Sequence, residues 1–203
     1  MIKSLVFDFG DVFLTLDKSA TQKHLQKFGI KEFTKEMLTK NHAYEMGLIS
    51  TDDFIAYYTN RFPQIDELDF IHAWNSILVD FPKHKLDFIQ RLADEKSFQL
   101  ILLSNTNELH INWIKENISF YNSFKNSFDA FYLSHEIELR KPNQDIYKFV
   151  LNNHDLSPEK VLFIDDTKEN TDAASQLGIK TWHLQAGHED VVDLFKIKRD
   201  LLF

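Results

Sequence analysis

Five polar residues in this chain stand where short apolar runs stop. Asp8 follows residues 4–7, Ser104 follows 98–103, Lys141 lies on the loop after 130–133, and Asp165 with Asp166 follows 160–164. A carboxylate, a hydroxyl, an ammonium and an acidic pair form a kit for phosphoryl transfer through an aspartyl-phosphate. Acidic groups from two separate strand ends can hold Mg2+, which takes a few carboxylates and fills its other places with water and substrate phosphate. The metal would offset repulsion between an anionic nucleophile and a phosphate ester, while Lys141 and Ser104 hold the phosphoryl oxygens. Each residue alone has a plainer reading. Asp8 can cap a turn, the Asp165–Asp166 pair can favour a helix dipole, Lys141 can precede a proline-initiated helix, and Ser104–Asn105 can be an N-cap. Their combination carries the chemistry.

Such a kit works only if the chain brings the ends of those runs together. Continuous apolar runs of this length suit strands buried on both faces, and residues 180–184 read as a further strand. Helical spacing appears over 142–152 and 170–177, the latter ending at Gly178. Alternating strands and helices imply an α/β fold with a doubly wound, mostly parallel, Rossmann-like sheet. Ligands of such sheets bind beyond the carboxyl ends of the strands. Residues 15–85 break the rhythm: they read as amphipathic helices over 19–28, 31–41, 51–61 and 67–77, with no strand. Ser50 and Asp53 resemble an acidic capping box, and Gly47 and Pro63 mark turns. The division expected is an α/β core of residues 1–14 and 86–203, interrupted by an all-helical insert over 15–85.

The residues around these positions resemble a known family. Phe7-Asp8-Phe9-Gly10-Asp11-Val12 resembles the first motif of the haloacid dehalogenase superfamily, and Leu103-Ser104-Asn105-Thr106-Asn107 its second. Arg140-Lys141-Pro142 with Ile146-Tyr147 resembles the third, and Phe163-Ile164-Asp165-Asp166-Thr167-Lys168-Glu169-Asn170 the fourth. The motifs stand in the family order and span nearly the whole chain. The resemblance implies a Mg2+-dependent hydrolase of phosphate monoesters with Asp8 as nucleophile and metal ligand. The Gly10 carbonyl and Asp166 would be further ligands, and Asp165 would ligate directly or through water. Ser104 and the amide of Asn105 would grip the phosphoryl group, Lys141 would balance charge, and Asn170 would sit in the outer shell. The helical insert would be the family's cap, with Tyr44, Glu45 and Met46 as its substrate-selecting residues. One departure stands out. Most phosphatases of the family carry an acid–base Asp two positions after the nucleophile, and here that position is Gly10. Losing such a group typically costs about 10²–10⁴-fold in rate, so the departure favours a substrate with a good leaving group, such as an anomeric or acyl phosphate.

Competing readings separate on the same residues. A signalling receiver domain has its acidic pair at the first strand, whereas here the pair comes last. A dehalogenase needs no metal and so no acidic pair, and a phosphomutase needs the acid–base that Gly10 replaces. A phosphate-binding protein without turnover is the main alternative. The formal charge of −8 speaks against nucleic acid or an anionic membrane as partner. The chain has no cysteine, which excludes disulfides and thiolate chemistry. No segment approaches the length of a membrane span, and no leader pattern precedes the first strand. The expectation is a cytoplasmic monomer or weak homo-oligomer acting on a small phosphorylated metabolite, with sugar phosphates favoured.

Overall fold

The computed structural model describes residues 1–202. Its centre is a five-stranded sheet of β1 (Ser4–Phe7), β4 (Gln99–Ser104), β5 (Ala130–Leu133), β6 (Val161–Asp165) and β7 (Lys180–His183), in the order β5-β4-β1-β6-β7. Every neighbouring pair runs parallel. The runs are apolar at consecutive positions because alternate residues enter two cores. Leu5, Phe7, Leu100, Leu102, Leu162 and Ile164 face one, while Val6, Ile101, Leu103, Val161 and Phe163 face the other. The central strands β1 and β6 are buried throughout, whereas the edge strands β5 and β7 are mostly half-buried. That explains why their apolar signal is weaker in the sequence.

Between β1 and β4 the chain leaves the sheet. It passes through β2 (Thr15–Leu16), then α1 (Ala20–Gln26), α2 (Lys35–Glu45), α3 (Thr51–Arg61) and α4 (Glu67–Asn75), and returns by β3 (Leu78–Asp80) into α5 (Lys83–Glu95). Strands β2 and β3 form an antiparallel ribbon. Sequence reading places no strand here, because two- and three-residue strands carry no period; this ribbon exists because the outgoing and returning chains share one crossing point. The chain is therefore back on the core before position 85, and α5 buries Leu86, Phe88, Ile89 and Leu92 against it.

Helix α3 has the bounds its sequence predicts, with Ser50 accepting from the Asp53 N–H at 3.1 Å and donating to its carboxylate at 2.7 Å. Helix α2 starts four residues later than expected, because Thr34 takes the N-cap and accepts from the Met37 N–H. The helices close on their own aromatic core: Tyr44 stacks on Phe54 at 4.1 Å, and Phe70 and Trp74 pack against the same ring. Leu109, from α6 (Glu108–Asn117) that follows β4, also belongs to this core. The remaining helices are α7 (Tyr121–Lys125), α8 (Ser134–Ile137), α9 (Gln144–Asn153) and α10 (Lys168–Ser175), followed by short helical turns near the C-terminus.

Beneath β1 lies a second aromatic group. Phe124, fully buried on α7, meets the rings of Phe9, Phe13, Phe81, Phe128 and Phe131 at centroid distances of 4.8–6.1 Å. It thus supports the loop that carries Asp8. Phe124→Ala should cost about 3–5 kcal/mol of folding stability, read as a lower urea midpoint with an unchanged slope.

Candidate active site

The carboxyl ends of the central strands converge as the sequence reading expects. Asp8 follows β1, its N–H bonded to the Ile164 carbonyl of β6 at 2.8 Å. Ser104 ends β4, Asp165 ends β6, and Lys141 comes in from the loop between α8 and α9. The ligand atoms of Asp8, Asp165 and Asp166 lie within 4.8 Å of one another.

Lys141 sits at the middle of this group and is 1% exposed. Its ammonium donates to Asp8 Oδ1, Asp165 Oδ2 and the Leu103 carbonyl, each at 2.7 Å. All three of its protons are spent. Burial alone would pull the Lys141 pKa down, but Asp165 and Asp8 outweigh it and the net shift is upward. Asp8 goes the other way from an ordinary carboxylate. Burial pushes it up, Lys141 opposes, and Asp165 and Asp166 add to the rise, leaving it at about 7.

Asp165 is saturated. The Thr167 N–H and the Asn170 amide reach Oδ1, while Lys141 and the same amide reach Oδ2, at 2.7–3.0 Å. A carboxylate has about four acceptor sites, so Asp165 has little left for a metal and is fitted to orient its neighbours. Asp8 and Asp166 are freer. Asn170 holds Asp165 rather than facing the cleft. Ser104 is 2% exposed, and its Oγ has only a 3.5 Å contact with the Asn105 carbonyl, which leaves the hydroxyl free for another acceptor. A Cβ at Gly10 would approach Leu16 Cδ1 to 2.7 Å, so a larger residue needs that methyl to turn aside.

Three features escape sequence reading. The first is the Asn105 side chain: its Oδ1 accepts from the Lys141 N–H and its Nδ2 donates to the Lys141 carbonyl, both at 2.9 Å, clasping that peptide from both sides. The second is Asp11. The sequence places it beside position 10, with its side chain expected to leave the loop in a different direction. At φ 54°, however, it accepts from the Leu16 N–H and meets Lys18 Nζ at 3.0 Å. The third is Lys18 itself, which bridges Asp11 to Asp166 at 2.5 Å. A left-handed aspartate and a lysine on a linker leave no periodic signal.

The helical insert is fastened to the same loops. Trp74 Nε1 donates to Asn107 Oδ1 at 3.3 Å, and His110 stacks on Trp74 and reaches its carbonyl at 3.2 Å. Burial holds His110 down at about 4, so it stays neutral as a packing residue. Tyr44 is buried, and its hydroxyl accepts from the Leu109 N–H at 3.1 Å. Glu45 takes Arg140 Nε and Nη2 on one oxygen at 3.1 and 3.0 Å, and its carbonyl accepts from Ser134 Oγ at 2.6 Å. Tyr44 and Glu45, expected to select substrate, are thus occupied in docking the insert. Met46 is half-buried as the C-cap of α2. At Gly47, a Cβ would stand 2.1 Å from the His135 carbonyl, at φ 67°.

A family profile described as haloacid dehalogenase-like hydrolase matches residues 2–178. The chain belongs to that family. This HAD-like hydrolase is 29% identical over 198 residues to the D-ribitol-5-phosphate phosphatase of Bacteroides thetaiotaomicron, covering 92% of this chain and 94% of that one. A solved HAD family enzyme from the same organism, in a magnesium complex, superposes with a TM-score of 0.85 at 33% identity over 96% of this chain and 98% of that one. A wild-type complex with magnesium and inorganic phosphate gives 0.82 at 32% identity, over 96% and 100%. A HAD-like hydrolase from Porphyromonas gingivalis gives 0.84 at 26%, over 98% of each.

Two outcomes follow for the HAD-like hydrolase. Asp8 rises from 3.8 to about 7 on folding, so between those values the folded chain binds more protons than the unfolded one, and stability falls as pH rises through that window. Asp8→Asn should therefore raise the melting temperature of the metal-free protein at about pH 8, with a smaller gain at about pH 5, in thermal scans with chelator. Glu45→Ala should cost about 1–3 kcal/mol by orphaning the half-buried Arg140; Glu45→Gln, which keeps an acceptor, should lose less in the same urea titration.

Proposed function

We propose that this hydrolase is a Mg2+-dependent phosphatase that cleaves a small phosphate monoester, with sugar or polyol phosphates favoured, through a phosphorylated Asp8. The observation that carries this reading is the buried triad of Lys141, Asp8 and Asp165 beside Asp166. It combines a nucleophile, a fixed counter-charge and a place for a divalent cation. Asp8, Asp166 and the Gly10 carbonyl would hold Mg2+, with Asp165 and its Asn170 support behind them. The residues fit such a cation because Asp8 and Asp166 keep acceptor sites that no protein donor fills. When bound, the metal supplies charge that offsets repulsion between Asp8 and the phosphate.

The chain's own groups do the rest. Asp8 attacks phosphorus with the oxygen that Lys141 does not hold, the ester P–O bond breaks, and the leaving alkoxide takes its proton from solvent. Lys141, fixed by three acceptors, cannot follow the substrate and acts as a preorganised charge. Ser104 Oγ and the Asn105 N–H can bond the transferred oxygens. Water then releases phosphate from Asp8. Position 10 offers no acid, which favours esters with good leaving groups, such as anomeric or acyl phosphates. The relative named for D-ribitol 5-phosphate acts on an unactivated primary ester, so both kinds belong in a substrate panel. Among the described residues no helix is long and apolar enough to cross a membrane. We read the chain as a cytoplasmic monomer or weak homo-oligomer, and the net charge of −8 speaks against nucleic acid as its partner.

The test is phosphate release from polyol, sugar, nucleotide and acyl phosphates, with Mg2+ and with chelator. Release should require the metal and vanish in Asp8→Asn while the fold is kept. Turnover surviving in a clean Asp8→Asn preparation would remove Asp8 as nucleophile. Alkyl phosphates cleaved as fast as anomeric ones would end the leaving-group preference.

A further inference from the structure

The site holds an ammonium beyond Lys141. Lys18 lies on the linker between β2 and α1, its side chain 57% exposed, with Nζ 3.0 Å from Asp11 Oδ2 and 2.5 Å from Asp166 Oδ2. Four carboxylates meet here, those of Asp8, Asp11, Asp165 and Asp166, against the ammoniums of Lys141 and Lys18. The shortfall is two positive charges. Lys141 is buried and has all three protons committed, so it cannot change partners. Lys18 is largely exposed and is held only through its ammonium, which pairs with Asp11 and donates to Asp166.

The backbone around Lys18 is fixed independently of its ammonium. Asp17 donates its N–H to the Ile77 carbonyl at 2.9 Å, and its carboxylate accepts from the Ser19 N–H at 2.9 Å and from the Ser19 hydroxyl at 2.5 Å. The Ala20 N–H bonds back to the Asp17 carbonyl at 3.0 Å. Releasing Asp166 therefore asks only for rotation of the Lys18 side chain. Asp11, held through its other oxygen by the Leu16 N–H, would keep the ammonium nearby.

We propose that Lys18 is the exchangeable counter-ion of this site: it occupies Asp166 in the metal-free protein, yields that carboxylate to the divalent cation, and so sets the metal affinity. This rests on the reading of Asp166 as a ligand, but not on any turnover. Its sign is fixed by two effects that agree. Lys18 competes for the Asp166 oxygen, and its positive charge repels an incoming cation at short range. An ordinary exposed ion pair, by contrast, contributes little to anything.

The experiment is calorimetric titration of Mg2+ into wild-type protein, Lys18→Met and Lys18→Arg, without substrate. Lys18→Met keeps the stem and removes the charge, and should lower the Mg2+ Kd by about tenfold or more. Lys18→Arg should stay within about threefold of wild type. An Mg2+ Kd in Lys18→Met unchanged within twofold, or weaker, overturns the proposal. Asp166→Asn in the same titration tests the underlying assignment separately. If it binds Mg2+ as wild type does, Asp166 is not a ligand and both readings fall. Failure of the phosphatase reading alone would show as Mg2+ binding without phosphate release in any variant.

Discussion

The buried ammonium of Lys141 is the constraint on which the rest of the site depends. Taking such a charge out of water costs several kcal/mol, which is recovered only where every proton finds a partner of good geometry. The fold provides three acceptors from three elements: Asp8 after β1, the Leu103 carbonyl of β4 and Asp165 at the end of β6. Those strands are adjacent in the sheet, so their carboxyl ends open onto one spot. The Asn105 side chain then fixes the Lys141 peptide itself. A shift of any one strand by a residue would leave a buried charge unmatched. The parallel register and the ion cluster therefore specify each other.

The helical insert answers to a second constraint. Its aromatic core includes Leu109, a residue of the α/β part, and its polar contacts end on Asn107, Leu109, Ser134 and Arg140. Asn107 and Arg140 lie within three residues of Ser104 and Lys141 in the chain. Moving this insert would uncover apolar surface and strand buried donors such as Trp74 Nε1, each unsatisfied group costing about 1–3 kcal/mol. Docking of the insert and placement of the catalytic loops are thus energetically tied.

Much of this was legible in the residues because burial on two faces writes a continuous apolar run. Residues 4–7, 98–103 and 160–164 show it, and the polar residue after each run stands at the carboxyl edge of the sheet. Other features depend on contacts that no local pattern encodes. The β2–β3 ribbon spans too few residues to show a period. Helix α2 shifted because one threonine outcompeted an earlier start. Tyr44 and Glu45 were expected to face substrate from the family's cap, and what the residues did not reveal is their bonding to the core, through the side chain of one and both the backbone and side chain of the other. Asp11 was expected to leave the loop in a direction other than that of position 10, but its partners, the Leu16 N–H and Lys18, depend on a positive φ that no local pattern names.

The crowding of carboxylates around Asp8 bears on what a metal would do here. Burial, with the charges of Asp165 and Asp166, raises Asp8 above an ordinary carboxylate although an ammonium touches it, so its ionised form is disfavoured. A protonated carboxyl is a poor nucleophile. A divalent charge between Asp8 and Asp166 would cancel the repulsion that Asp165 and Asp166 exert and draw Asp8 to its ionised form, the inversion that bound cations impose on nearby groups. On this argument a bound cation would supply charge that favours the ionised Asp8, the form the proposed nucleophile needs. The surplus of carboxylates over ammoniums would then leave room for both charges of a divalent metal.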